Sequence, residues 1–82
     1  MSHIPHELHE EFPEQADLLR ELEQTNTHVA RLAKEYHDIN KLLHRVETNL
    51  QPMSDIEAVR LRKQRLALKD DIARSLRDAE VS

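Results

Sequence analysis

The most constraining feature of this chain is a run of positions spaced alternately four and three residues apart. It reads Leu18, Leu22, Thr25, Val29, Leu32, Tyr36, Ile39, Leu43, Val46 and Leu50. Nine of these ten are apolar or aromatic; Thr25 is the polar member. A 4-3 spacing keeps one stripe of an α-helix facing one neighbour, which is the heptad pattern of coiled coils. A strand alternates with period two and cannot satisfy it. Pro13 suits a first helical turn, where its missing N–H costs nothing, and Glu14 and Asp17 suit the positive end of the helix dipole. The spacing therefore predicts one helix over about 13–50, roughly 55 Å long at 1.5 Å per residue.

Only one clear turn comes after it. In "NLQPMSDIE", Pro52 ends the first helix and biases Gln51 toward extended backbone. Ser54 then reads as an N-cap with Glu57 three residues on, a capping box. A second helix is expected over about 55–78, after a turn at about 51–54. Two long helices on a short connection lie antiparallel. The expected fold class is thus all-α: a two-helix antiparallel coiled-coil hairpin, preceded by residues 1–12 as a partly helical turn. Composition agrees. The chain of 82 residues has no Gly and no Cys, and only Phe12 and Tyr36 are aromatic. Without Gly, phosphate-cradling loops and tight hairpin turns lose their usual residue. Without Cys, disulfides, thiolate chemistry and cysteine zinc sites are excluded.

The second helix is patterned differently. Val59, Leu66 and Ala73 form one stripe, and Leu61, Leu68 and Ile72 another about 140° away. Leu76 and Ala58 lie between them, as do Arg62, Arg65 and Lys69. So wide an apolar arc suits a helix with two neighbours. A lone hairpin also buries little apolar surface against its ordering entropy. The expected packing seam is Leu18, Leu22, Val29, Leu32, Tyr36, Ile39, Leu43, Val46, Leu61, Leu66, Leu68, Ile72 and Leu76. Its second neighbour is expected to come from a second copy, with two hairpins forming a four-helix bundle. The competing arrangement is a monomer whose N-terminal segment folds back, with Ile4, Leu8 and Phe12 as a lid. Pairing about the turn places residues summing to roughly 103 side by side, so Arg65 is expected near Asp38 and Lys69 near Glu35.

Charge is unevenly spread. The net charge is −4, yet "RLRKQRLALK" at 60–69 carries five basic residues and no acid. From Glu7 to Glu23 there are seven acidic residues and one basic, Arg20. By the pairing sum, this acidic third is expected to extend beyond the end of the second helix. Arg60, Arg62, Lys63, Arg65 and Lys69 are the candidate interaction residues, for a basic-surface contact or for nucleic acid. Apolar stripes interrupt the run and stacking aromatics are lacking, which argues against a groove-entering helix. No membrane-length apolar run and no signal-peptide pattern is present, so a cytoplasmic location is expected.

Chemistry finds little support. "HELHE" at 6–10 resembles the zinc-protease motif H-E-x-x-H, but His6 and His9 stand three apart rather than four. A third ligand would have to come from His3 in a chain terminus. His28, His37 and His44 lie along the first helix; a pH-sensitive interface and plain solvation are the alternatives for them. Asn26 and Asn40 flank the seam and could fix register. Carboxylate pairs such as Glu10/Glu11 and Asp70/Asp71 lack the dry cleft that acid–base catalysis requires. No catalytic residue, metal or cofactor is expected.

Three stretches resemble the YdcH-like family of small bacterial proteins of unknown function. They are "HEEFPE", "VARLAKEYHDIN" and "LRKQRLALKDDI", with "HRVE" at His44–Glu47 between the last two. The resemblance runs from about His6 to Leu76, and departs at Val29, where many members carry Phe. It implies a bacterial, cytoplasmic helical hairpin with self-association, and it brings no catalytic residue or cofactor. The expected role is a non-catalytic interaction or scaffolding protein with a protein partner of unknown identity.

Overall fold

A computed structural model describes residues 5–81 of the chain. All regular structure among them is helical. In order these are α1 (Leu8–Glu11), a 3-10 turn (Pro13–Gln15), α2 (Ala16–Thr25), α3 (Thr27–Glu47) and α4 (Asp55–Val81). No described helix is long and apolar enough to cross a membrane.

The expected single helix over 13–50 is interrupted. Asn26 is extended, at φ −125° and ψ 109°, and its Oδ1 accepts hydrogen bonds from the backbone N–H of His28 (3.0 Å) and Val29 (3.2 Å). Those donors would be orphaned at a helix start, so Asn26 is the N-cap of α3. Thr25, the polar member of the 4-3 run, turns its Oγ1 back onto the Glu21 carbonyl at 2.9 Å. A continuous helix from 16 to 47 would need about 48 Å, whereas the long axis of the molecule is 43 Å, most of it spanned by α4. Hence α2 does not prolong α3. The chain turns back at Asn26, and the acidic first third lies against the body rather than beyond it.

At its other end α3 stops at Glu47, three residues before the expected boundary. The backbone N–H of Leu50 bonds the Arg45 carbonyl at 2.8 Å, and Asn49 adopts the left-handed region at φ 62°. Such a C-terminal cap ordinarily uses Gly; in a chain with none, Asn is the best substitute. Leu50, the last member of the 4-3 run, is consequently exposed. The start of α4 is where the sequence placed it: the Glu57 N–H donates to Ser54 Oγ at 3.2 Å. Its end is Val81, three residues beyond the expected 78.

One core cluster joins every element. Leu8 from α1, Leu19 from α2, Val29, Leu32, Ala33 and Tyr36 from α3, and Leu68, Ile72 and Leu76 from α4 are all buried in it. Phe12, Leu18, Leu22 and Ile39 pack partly buried against it. Leu43 and Leu61 are buried nearer the turn, and Val46 is half-buried. Most of the expected seam is therefore core. Leu66 is the exception, 58% exposed, because α4 turns Leu61, Leu68, Ile72 and Leu76 toward α3 and leaves the Val59–Leu66 stripe outside. Leu8 and Leu19 are buried in this cluster and Phe12 packs against it, so the N-terminal segment folds back onto the core. Ile4, the other expected lid residue, lies outside the described residues.

Candidate interaction site

The N-terminal segment is held by a small polar cradle built on α3 and α4. Tyr36 and Asn40 stand four apart, on one face of α3. Both are buried at 2% exposure. The Tyr36 hydroxyl donates to the His6 carbonyl at 2.5 Å, and Asn40 Nδ2 donates to the Pro5 carbonyl at 2.9 Å. From α4, Arg65 Nη1 donates to Asn40 Oδ1 at 3.0 Å. Asn40 thus bridges two helices and the segment, and no buried side-chain polar atom among the described residues is left unsatisfied.

Charge reinforces the contact. Lys69 Nζ stands 3.7 Å from Glu11 Oε1, and His6 Nδ1 stands 3.2 Å from the same oxygen. His37 Nδ1 lies 3.6 Å from Glu7 Oε2. Below the segment, burial pushes the Tyr36 phenol up to about 12, with Glu11 and Glu7 adding to the rise and Arg65 opposing it. The segment begins with His6 in the left-handed region, at φ 64°, and Glu7 then caps α1, its N–H donating to Glu10 Oε1 at 3.3 Å.

The five candidate basic residues divide into two groups. Arg62, Arg65 and Lys69 line one cleft of about 190 Å³ together with His6, Glu11, Tyr36 and Leu66. Arg60 and Lys63 do not line it. Arg60 is hydrogen-bonded to Glu57 one turn back, and that bond, followed by the carboxylate's charge, raises its pKa above the ordinary value. Arg62 and Lys63 are exposed. The expected pairs are replaced. Asp38 binds Lys34 at 3.1 Å within α3, and Arg65 reaches Asn40, two residues further along. Lys69 meets Glu11 rather than Glu35 because the folded-back segment comes between.

Pro5, His6, Glu7 and Glu11 were not legible as cradle partners, since their bonds run through backbone carbonyls or span dozens of residues. Asn40, flanking the 4-3 seam where an Asn can fix register, was the one available signal. His3 lies outside the described residues. Among those described, no group of three or more His, Asp or Glu side chains is arranged to hold a metal ion. A second cleft, of about 440 Å³, opens between α1, α2 and α3 beside His9, Arg20, Glu23 and Lys34.

The model of a family described as protein of unknown function (DUF465) matches residues 29–76. That span covers α3 from its first turn and most of α4, and stops short of α1 and α2. No curated protein and no solved structure matches the chain.

Proposed function

The chain belongs to the YdcH-like family of small proteins of unknown function, and we propose that it acts as a non-catalytic interaction protein of the cytoplasm. In this reading α3 and α4 form an antiparallel helical hairpin that self-associates through the outer face of α4, two hairpins making a four-helix bundle. The observation that carries it is the outer stripe: Ile56, Val59 and Leu66 are 84%, 45% and 58% exposed. With Lys63, Asp70 and Ala73 these positions step 3, 4, 3, 4, 3 along the helix, a second coiled-coil seam on the side away from α3. Lys63 and Asp70 bring opposite charges to it, which suits an antiparallel pair of α4 helices. The non-catalytic reading is supported by what the buried polar side chains do: Tyr36 and Asn40 are engaged in holding the N-terminal segment. A protein partner would meet the same face.

Sedimentation velocity over a wide concentration range tests this. A dimer is expected, and a chain carrying Val59→Glu and Leu66→Glu should sediment as a helical monomer. A wild-type chain that stays monomeric at hundreds of micromolar would refute the reading.

Exposed Arg62 and Lys63 support a second reading, nucleic-acid contact along the outer face of α4. It is weaker, because Arg60, Arg65 and Lys69 are engaged within the chain. Duplex binding whose affinity falls steeply with salt would favour it.

A further inference from the structure

We propose that the Tyr36–Asn40–Arg65–Lys69 cradle is a binding site for the N-terminal segment of a second copy of this chain, with the chain's own segment as its resident competitor.

The cradle recognises main chain. Tyr36 and Asn40 donate to the carbonyls of two consecutive residues, His6 and Pro5, so these bonds depend on backbone and not on which molecule carries it. Identity comes from the side chains of residues 7–12. Leu8 and Phe12 enter the core cluster, while Glu7 and Glu11 meet His37 and Lys69. An acidic, amphipathic segment thus docks on a basic-rimmed apolar face, and the complementary charges are already in contact. A second copy offers the same segment by definition.

A break in helical geometry separates the segment from α2. Phe12 leaves helical geometry at φ −128° and ψ 61°, and Pro13 opens the next turn, so α1 joins α2 through a break rather than a continuous helix. At the segment's start, His6 holds a left-handed backbone, unfavourable for a residue with a side chain. When the segment swings out, Tyr36, Leu68 and Ile72 lose cover, and an uncovered core face favours refilling. Two copies exchanging segments make every contact twice around a two-fold axis, the usual form of domain swapping. At low protein concentration the tethered segment wins, because its effective concentration is of order millimolar. Exchange therefore rises with protein concentration. Of the outer stripe of α4 only Leu66 borders this contact; Ile56 and Val59 do not line its cleft.

The experiment mixes two full-length variants, both carrying Ile56→Glu and Val59→Glu, outer-face positions of α4 that do not line the cradle's cleft, so that this face is blocked. One also carries Leu8→Ala and Phe12→Ala, leaving an intact cradle with a weakened segment. The other carries Asn40→Ala and Arg65→Ala, leaving an intact segment with a broken cradle. Native mass spectrometry of the mixture should show mixed 1:1 dimers at least tenfold above the dimer signal of either variant alone. No mixed dimer between two helical variants overturns the proposal. In a second arm a fluorescent peptide of residues 5–12 is titrated onto the unmodified chain and onto one carrying Glu7→Gln and Glu11→Gln. Binding at least fivefold tighter to the second chain is expected, and its loss on adding Tyr36→Phe. Equal binding to both chains, or none to either, overturns the proposal even if a core variant fails to fold.

Discussion

Arg65 on α4 donates to the buried Asn40 side chain on α3 at 3.0 Å, and Asn40 passes its own donor on to the Pro5 carbonyl. One amide therefore registers α3 against α4 and anchors the N-terminal segment to both. Asn suits this position because it carries a donor and an acceptor on one short planar group.

Replacing Asn40 by Leu should remove both bonds and strand the Arg65 guanidinium and the Pro5 carbonyl. A loss of roughly 2–4 kcal/mol is expected in urea unfolding, the range for breaking a buried, charge-assisted contact. Asn40→Asp keeps the acceptor for Arg65 but not the donor for Pro5. It should cost less, and amide exchange should quicken over α1 while α3 and α4 remain protected.

Alkaline pH should weaken the fold through Tyr36. Its phenol lies at about 12 in the folded chain against an ordinary 10.0, so between these values the folded state keeps a proton that the unfolded state has lost. The contribution is complete below pH 10 and is lost as the pH rises toward 12, amounting to a few kcal/mol. The measurement is therefore the difference between wild type and Tyr36→Phe: the variant should be less stable at pH 8, with a shallower decline above pH 10.

Asn26→Ala should cost about 1 kcal/mol by uncapping α3, and Asn26→Ser should restore most of it. Thermal unfolding followed by circular dichroism would check this. A continuous α2–α3 helix is not the expected result, since Leu19 would have to leave the core cluster.

Asn49 offers a test of opposite sign. Its φ of 62° favours a residue without a Cβ. Asn49→Gly should leave stability unchanged or raise it by a few tenths of a kcal/mol, while Asn49→Ala should lower it by about 1 kcal/mol. Equal midpoints for the two variants in urea would contradict the role assigned to this cap.

Local chemistry written in the chain was enough for several features. The 4-3 spacing marked α3 and most of its buried face, and Pro52 and Ser54 marked the turn and the first residue of α4. These rest on short-range rules of helix geometry, capping and periodicity, which act within a few residues. Tertiary structure alone decided the remainder. At Asn26 a 4-3 pattern that tolerates Thr25 is compatible with both a straight helix and a capped break. The break prevails because it brings Leu8, Phe12 and Leu19 onto a face that α3 and α4 leave open. The partner of Lys69 changed for the same reason: the returning segment brings Glu11 to 3.7 Å from it, where Glu35 was expected. Burial at Leu66 was likewise undecidable from its stripe. A helix with apolar residues on two faces must turn one of them inward, and here Leu61, Leu68, Ile72 and Leu76 face α3 while Val59 and Leu66 remain in solvent.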